Sequence, residues 1–380
     1  MSGLRISFFG SSLVSAYWNG AATYYRGIIR ALAERGHQVT FYEPDAYDRQ
    51  KNRDMDDPSW AKVVVYAADE RQMWSALEEA KNSDLLIKTS GIGVFDELLE
   101  SAIPAAKGPQ TIAAFWDVDA PATLERVRQN EGDPFRTQIP RYDLILTYGG
   151  GDRVVSEYLR LGARACVPIY NALDPHTHHP VAAEPRFAAD LGFLGNRLPD
   201  RERRVEEFFL RAAEAAPQMS FLFGGNGWGD KKLPENVRYI GHVFTRDHNA
   251  FNCSSRAVLN VNRDSMASYG FSPPTRVFEA AGAAACLISD AWDGIGHFLE
   301  PDREVLIANS GAEVADIVTN LTSERARQIG QAGYRRVLAH HTYKHRVDQL
   351  EEVIGLKRHA PNITAFRANS LDSSISTVTG

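Results

Sequence analysis

The chain has 380 residues, more than one ordinary hydrophobic core holds, so its length predicts two domains. Hydrophobic residues make up 44% and charged residues 24%, and the net charge of −6 is mild, which is typical of a globular enzyme and gives no reason to expect a nucleic-acid surface. The start has no signal-peptide pattern, no segment has the roughly 18 apolar residues of a membrane span, and the three cysteines are scattered, so we expect a cytoplasmic protein.

Strand and helix patterns alternate through the first half of the chain. Short apolar runs predict strands, and apolar residues three or four apart predict helices. The predicted elements are a strand at 4–9, a helix at 23–35, strands at 39–42 and 63–66, a helix around Met73, and strands at 85–87, 111–116 and 144–148. Several of these strands are continuously apolar, as in a parallel sheet covered on both faces, so this half predicts a doubly wound α/β domain.

The alternation stops between 170 and 187, where three His and three Pro without apolar periodicity predict a linker. It then resumes with strands at 191–194, 220–223, 237–240, 258–261, 285–289 and 305–308, and helices at 201–216, 324–339 and 343–354. We therefore predict an N-terminal domain (1–169), a linker (170–187), a C-terminal domain (188–340), a closing helix (341–355) and a flexible polar tail (356–380).

Two such domains facing each other form a cleft, and ligands bind at the carboxyl ends of the strands. Dehydrogenases, periplasmic-type binding proteins, sugar-nucleotide epimerases and sugar transferases all use this architecture. The dehydrogenase interpretation is weak because no G-x-G-x-x-G follows the first strand, where Gly10 is followed by two serines.

The richest pattern lies between 260 and 304. A predicted strand ends at Arg263, and a loop with two prolines leads into a helix that we expect to begin near Pro274. Arg276 and Glu279 are three residues apart and so share a face at the start of that helix. An Arg there can bind a diphosphate bidentately, and a carboxylate can accept hydrogen bonds from two ribose hydroxyls. Taken alone, the pair is more typical of a surface ion pair.

The surrounding sequence changes this balance. It reads Leu259-Asn260-Val261-Asn262-Arg263-Asp264-Ser265-Met266, then Tyr269-Gly270-Phe271-Ser272-Pro273-Pro274-Thr275-Arg276-Val277-Phe278-Glu279-Ala280. This pattern resembles the donor site of GT-B glycosyltransferases, and most closely the spore-maturation CgeB-like glycosyltransferases. The resemblance implies an α/β GT-B fold of two Rossmann-like doubly wound domains around a central cleft. It also implies that Glu279 holds the ribose, that Arg263 and Arg276 contact the diphosphate, and that Gly270 and Ser272 belong to the donor site.

Weaker similarity extends to about residue 354. Gly195 follows a predicted strand and supplies the small residue that phosphate-binding backbone needs, and Arg197, Arg201 or Arg203 is expected to add positive charge. In the first domain, the cleft is expected to include Asn19, Gly20 and Trp116, with Gly20 letting a sugar or acceptor approach the backbone.

Two acidic residues close the predicted strand at 111–116. An inverting transfer needs a general base, and Asp117 and Asp119 are the candidates, with Asp119 also well sited to cap the next helix. Phe271 stands where retaining families with paired glutamates have an acidic residue, so their sugar contacts cannot be carried over and the stereochemical outcome is open.

The histidines at 176, 178 and 179 have no carboxylate or thiol at convincing ligand spacing, so we predict no metal site. The function expected is metal-independent transfer of a sugar, of the hexosyltransferase type, from a nucleoside-diphosphate donor of the UDP or GDP type to an unidentified acceptor. No cofactor and no nucleic-acid partner are expected, and peripheral membrane association is left open. The alternatives are a sugar-nucleotide epimerase or hydrolase, or a non-catalytic nucleotide-sugar-binding protein.

Overall fold

The structure is a computed structural model that describes residues 3–17 and 19–355. Its strands are β1 (Arg5–Phe9), β2 (Gln38–Asp45), β3 (Lys62–Ala67), β4 (Leu85–Thr89), β5 (Ile112–Asp117), β6 (Leu144–Thr147), β7 (Cys166–Pro168), β8 (Ala189–Leu194), β9 (Phe221–Gly224), β10 (Val237–Gly241), β11 (Ser255–Asn260), β12 (Leu287–Asp290) and β13 (Leu306–Ala308).

The α-helices lie between and after these strands. They are α1 (Ala22–Glu34), α2 (Glu70–Ala80), α3 (Asp96–Ala106), α4 (Ala120–Gln129), α5 (Pro134–Gln138), α6 (Gly151–Arg160), α7 (Glu202–Val205), α8 (Arg211–Ala215), α9 (His248–Ser254), α10 (Asp264–Tyr269), α11 (Thr275–Gly282), α12 (Ile295–Phe298), α13 (Gly311–Asn320), α14 (Ser323–His340) and α15 (Tyr343–Val353). None of these helices combines the length and apolar character needed to span a bilayer.

The strands form two parallel sheets. The first has the order β3-β2-β1-β4-β5-β6-β7, and the second has the order β10-β9-β8-β11-β12-β13. In each sheet the order reverses once, between β1 and β4 and between β8 and β11, and such switch points leave a crevice at the carboxyl ends of the strands. The two doubly wound α/β units predicted from the sequence are confirmed.

Burial on both faces explains the continuously apolar strands. In β4, Leu85 and Ile87 join the apolar cluster on one face of the first sheet, whereas Leu86 joins the cluster on the other. A half-exposed sheet would need alternating polar residues, so this pattern is the direct signature of a two-sided core.

The details of the second unit differ from the predicted elements in two places. A π-helical turn, Glu206–Leu210, joins α7 to α8 within the predicted helix at 201–216. The short helix α10 occupies a segment for which no helix was predicted, and α11 begins at Thr275 with Pro274 as its N-cap. The predicted domain boundaries stay a proposal, and the predicted tail at 356–380 lies outside the described residues.

The chain crosses between the two units twice, and the crossings lie side by side. The Leu173 amide donates to the His341 carbonyl at 2.8 Å, and the Tyr343 amide donates to the Leu173 carbonyl at 3.1 Å. Beyond this point α15 packs against α1, where the Tyr343 ring lies so close to Gly27 that a Cβ there would be 2.1 Å from it. The last helix of the chain is therefore attached to the first unit.

Candidate functional site

A cleft of about 620 Å³ lies between the two units, at the carboxyl ends of their strands. The residues that line it and carry the argument below are, from the first unit, Asn19, Gly20, Asp96, Glu100, Asp119 and Arg126, and, from the second unit, Arg201, Arg263 and Thr275. The site thus lies where the two switch points face each other.

The side of the cleft formed by the second unit, here called the second wall, includes Arg201, which lies just before α7. Its Nη2 donates to the Asn196 carbonyl at 2.6 Å, and its buried Nε has no hydrogen-bond partner among the described residues. Burial, and then the positive charges of Arg276 and Arg263, lower the pKa of Arg201 to about 10. A buried guanidinium with an unused donor and cationic neighbours is stabilised by an anion.

Arg276 repeats this pattern on α11. Its Nη2 donates to the Leu194 carbonyl at 2.9 Å, while its Nη1 is buried without a partner in the described part of the chain. Burial lowers the pKa of Arg276, although the charge of Glu279 opposes this. Of the ion pairs between described residues, none joins Arg276 to Glu279, so the two do not form a simple surface pair.

Arg263, at the N-cap of α10, completes a group of three arginines. Its Nε donates to Asp200 Oδ2 at 2.6 Å, and 39% of its side chain remains exposed. Burial lowers its pKa, but Asp200 and then Asp119 raise it, so that the pKa lies above its usual value. Together, Arg201, Arg263 and Arg276 place positive charge at the carboxyl ends of β8 and β11; Arg201 and Arg263 line the cleft, whereas Arg276 and Glu279 are not among its lining residues.

The other arginine predicted to bind the donor is engaged elsewhere. Arg197 Nη2 donates to Glu202 at 2.7 Å and its Nη1 to Asp230 at 2.8 Å, and Arg197 is not among the residues that line the cleft. Gly195 acts through its size, because a Cβ there would lie 3.2 Å from Nη2 of Arg201. Of the arginines that the sequence left open, the structure brings Arg201 into the cleft.

The loop before α11 is shaped by Gly270 and Ser272. Gly270 has φ 69°, and a Cβ there would lie 2.7 Å from that of Asp293, so a side chain would be both strained and crowded. Ser272 Oγ donates to the Gly270 carbonyl at 3.0 Å, and the Gly150 amide from the first unit donates to the Phe271 carbonyl at 2.9 Å. Neither Gly270 nor Ser272 lines the cleft; the two hold the loop that leads to α11.

The two acidic residues at the end of β5 have different surroundings. Asp117 is completely buried, and its carboxylate accepts hydrogen bonds from Tyr158 Oη at 2.5 Å, Thr123 Oγ1 at 3.1 Å and the Asp119 amide at 3.0 Å. It does not line the cleft. Asp119 does, and it is open to solvent. This geometry favours Asp119 over Asp117 as a group that can meet a substrate.

The pKa of Asp119 is raised. The main cause is that the cleft surrounds the carboxyl with protein atoms, and the second is the charge of Asp117; Arg263 across the cleft acts in the opposite direction. A carboxylate of raised pKa holds a proton more strongly, which suits a general base.

Of the remaining residues that were predicted to line the cleft, Gly20 and Asn19 do so and Trp116 does not. Gly20 lies in the cleft wall, and a Cβ there would meet no atom within 4 Å. Asn19 also lines the cleft, but its amide is used to hold the preceding loop through Ser11, Ser12 and Ser15. Trp116 is buried in the core, where its Nε1 donates to Tyr24 Oη at 3.0 Å. It supports the wall from behind and does not line the cleft.

Sequence reasoning missed a charged group in the first wall. Lys88 is fully buried and pairs with Asp96 at 2.5 Å and Glu100 at 3.7 Å, and Arg126 reaches Glu100 at 3.3 Å and Asp133 at 3.1 Å. The signal was a single lysine within the apolar run of β4, because a buried lysine requires acidic partners.

Sequence reasoning also missed two histidines that lie beside Glu279. His178 Nε2 lies 3.9 Å from Glu279 Oε1, and His248 completes a group whose ligand atoms all lie within 4.8 Å of one another. Burial raises the pKa of Glu279, but His178, then Arg276 and His248, outweigh this and keep the pKa below its usual value. These histidines are separated from Glu279 by long stretches of chain, so no local motif reveals the group.

Part of the chain is similar in sequence to a known family, and most of it is similar in fold to solved structures. Residues 201–352 match the model of a family described as glycosyl transferase-like. No curated protein matches the chain. Similar solved structures include HepE of Anabaena in complex with UDP and glucose, which has 12% identity and a TM-score of 0.63 and is matched over 93% of this chain and 100% of that chain.

Two further structures have the same architecture. Sucrose-phosphate synthase from Thermosynechococcus elongatus has 13% identity and a TM-score of 0.65, over 92% of this chain and 98% of that chain. The T4 phage protein BGT, in complex with its UDP-glucose substrate, has 12% identity and a TM-score of 0.59, over 92% of this chain and 99% of that chain. The chain therefore has the GT-B fold, and residues 201–352, which contain Arg201, Arg263, Arg276 and Glu279, match the glycosyl transferase-like family.

Proposed function

We propose that this protein is a glycosyltransferase that moves a sugar from a nucleoside-diphosphate donor to an acceptor held by the first unit. The observation that carries the proposal is the group of three arginines, of which Arg201 and Arg276 have buried N–H donors without partners in the described chain. The family match over 201–352 supports it. The closer resemblance to CgeB-like glycosyltransferases, and transfer of a hexose, are part of the same proposal.

The diphosphate of the donor is complementary to this group in charge. Guanidinium groups form bidentate hydrogen bonds with phosphate oxygens, and the first turn of α11 adds N–H groups and the positive end of a helix dipole. To Glu279, four residues after the start of α11, we assign the acceptance of hydrogen bonds from the ribose hydroxyls. Fixed positive charge that stabilises the leaving diphosphate is the main catalytic contribution we assign to the second wall, without a metal ion.

The acceptor side supplies the base. In an inverting transfer, Asp119 removes the proton of the acceptor hydroxyl as the sugar carbon is attacked, and the pKa of Asp119 suits this role because it is raised. Arg263 faces the same cleft, so the base and the diphosphate-binding group lie on opposite walls.

The nucleotide is proposed to be UDP. HepE and BGT have the same fold and were solved with UDP or UDP-glucose, which is why UDP is proposed first. A thermal-shift panel of UDP, GDP, ADP and dTDP tests it, because a ligand that binds only the folded state raises the melting temperature. Selective stabilisation by UDP is expected, and no stabilisation by any of the four contradicts the proposal.

Turnover separates transfer from the alternatives. A transferase releases UDP from UDP-sugar at a rate that increases when an acceptor is supplied. Conversion of the sugar nucleotide to an epimer, or hydrolysis that no acceptor accelerates, would indicate the epimerase or hydrolase. Binding without any turnover across an acceptor panel would indicate a non-catalytic nucleotide-sugar-binding protein.

A further inference from the structure

Three metal-binding side chains meet at the edge of the second unit. His178 comes from the segment between the sheets, His248 from the start of α9 and Glu279 from α11, and one ligand atom of each lies within 4.8 Å of the others. His178 is buried and the other two are partly buried. Nothing in the proposed sugar transfer requires two histidines beside this carboxylate.

The hydrogen bonds around His178 determine which ring nitrogen faces the group. Thr177 Oγ1 donates to the Asp174 carbonyl at 3.1 Å and therefore accepts from His178 Nδ1 at 3.0 Å, because a hydroxyl has only one proton. The lone pair of the neutral ring is then on Nε2, the atom that lies 3.9 Å from Glu279 Oε1.

His248 is held in the same manner. Its Nε2 lies 3.3 Å from the Val243 carbonyl, which can only accept, so the neutral ring keeps its proton there and has its lone pair on Nδ1. Second hydrogen bonds of this kind, to a carbonyl or another oxygen, are what fixes the ring of a metal-binding histidine.

We propose that His178, His248 and Glu279 bind one transition-metal ion, with Zn²⁺ as the best fit. Two imidazoles and one carboxylate suit zinc, which takes three protein ligands and keeps a fourth position for water in its open sites. Calcium and magnesium prefer oxygen ligands, so a set with two nitrogens disfavours them.

The site has a consequence that rests on the proposed function. Zn²⁺ and a donor ribose would use the same carboxylate oxygens of Glu279, so the two ligands compete. The competition is reciprocal: bound Zn²⁺ weakens UDP binding by the same factor by which UDP weakens Zn²⁺ binding. Zinc is thus an inhibitor of donor binding at this site and has no part in the transfer itself.

The experiment uses the full chain without an affinity tag, freed of metal with a chelator. Titration with Co²⁺ is expected to give the visible absorption of a four-coordinate ion at one equivalent, and Zn²⁺ is expected to displace it. His248→Ala and His178→Ala are each expected to weaken binding by at least about tenfold, as the loss of a supporting or direct ligand does. Circular dichroism checks that the variants are folded.

His179→Ala is the matched control, because His179 is next to His178 in the chain but exposed. It is expected to bind Zn²⁺ like the unchanged protein. Absence of a one-equivalent site in the unchanged protein would overturn the proposal, and so would an equal loss of binding in the His179→Ala and His248→Ala variants.

A second titration separates this proposal from the proposed function. Arg201→Ala is expected to lose UDP affinity and keep its zinc site, whereas His248→Ala is expected to lose the zinc site. If zinc binds as described but UDP binds no form of the protein, the donor proposal fails and the metal site stands. If UDP binds and zinc does not, the metal site fails and the donor proposal stands.

Discussion

The two walls of the cleft differ in charge and in how that charge is compensated. On the first wall, Asp96 and Glu100 are already paired with buried Lys88 and with Arg126, which leaves Asp119 as the acid that faces the cleft without an ion pair among the described residues. On the second wall, Arg201 has an unused donor; Arg276, which donates to the end of β8 and is not among the residues that line the cleft, has another.

The two walls are therefore complementary to ligand groups of opposite charge. The second wall has positive charge that an anion would stabilise, and the first wall has one available carboxylate. Because the net charge of the whole chain is only −6, this polarisation comes from the placement of charges and not from composition. A reaction that separates a proton from a leaving anion fits such an arrangement.

Removing the available acid of the first wall should have the largest effect. Asp119→Asn is expected to lower kcat by about 10²–10⁴-fold, the usual contribution of a positioned base, with the affinity for UDP nearly unchanged. Steady-state kinetics with saturating donor, and calorimetry with UDP, measure the two quantities. The comparison variant is Asp117→Asn, which should mainly lower the melting temperature, because Asp117 is buried and hydrogen-bonded to Tyr158 and Thr123. A normal kcat for Asp119→Asn would remove Asp119 as the base.

Removing one arginine of the second wall should give the next largest effect. Arg201→Ala is expected to weaken UDP binding by about 10–100-fold, since hydrogen bonds to charged groups contribute about 1.5–3 kcal/mol. Isothermal titration with UDP measures this. Arg197→Ala is the matched control, because Arg197 is paired with Glu202 and Asp230 and does not line the cleft. If both variants bind UDP equally well, the anion is not held at Arg201.

Weakening the proposed ribose contact should have a smaller effect on UDP binding, and the effect should depend on the ribose hydroxyls. Glu279→Gln is expected to weaken UDP binding by about tenfold, while its effect on 2′-deoxy-UDP is expected to be smaller, because the deoxy compound lacks one of the hydroxyls that Glu279 would hold. The four binding constants form a cycle, and the interaction energy between Glu279 and the hydroxyl is read from it. Additive effects, with no interaction energy, would show that Glu279 does not contact the 2′-hydroxyl.

The smallest expected effect is a shift of pH dependence that reports contact across the cleft. A base must be deprotonated to act, so kcat rises with pH through the pKa of Asp119, which lies above its ordinary value of 3.8. Arg263 lowers this pKa, so Arg263→Gln is expected to move the acid limb of the profile to higher pH. Profiles at saturating donor concentration test this, and an unmoved limb would show that the two walls do not interact.

The fold was largely predictable because its signals are local. Apolar runs such as Leu85–Ile87 and the helix spacing around Met73 report burial and periodicity directly, and both sheets follow from them. The choice among arginines near Gly195 was not predictable. Arg201 extends into the cleft, whereas Arg197 pairs with Glu202. The difference depends on the direction of each side chain from the backbone, which the spacing of residues in the sequence does not indicate.

Long-range groups were beyond the sequence for the same reason. The sequence around Asp117 predicted an acidic residue at the end of a strand. It did not reveal that Asp117 is buried and hydrogen-bonded to Tyr158, because Tyr158 lies on α6, about forty residues further along the chain. The histidines at 176, 178 and 179 seemed to have no carboxylate because Glu279 is about one hundred residues further along the chain, in contact only after folding.

The paired crossings at Leu173 and His341 limit how the two units can move relative to each other. Two chain segments that are hydrogen-bonded to each other would act as a hinge with one preferred axis, whereas a single flexible connection would let the two units rotate in any direction. Motion about such an axis changes the distance between the walls but preserves their alignment. Each closing movement would then return Asp119 and the arginines to the same facing positions. The connection between the units, and not the cleft itself, would thus set the relative positions of these side chains.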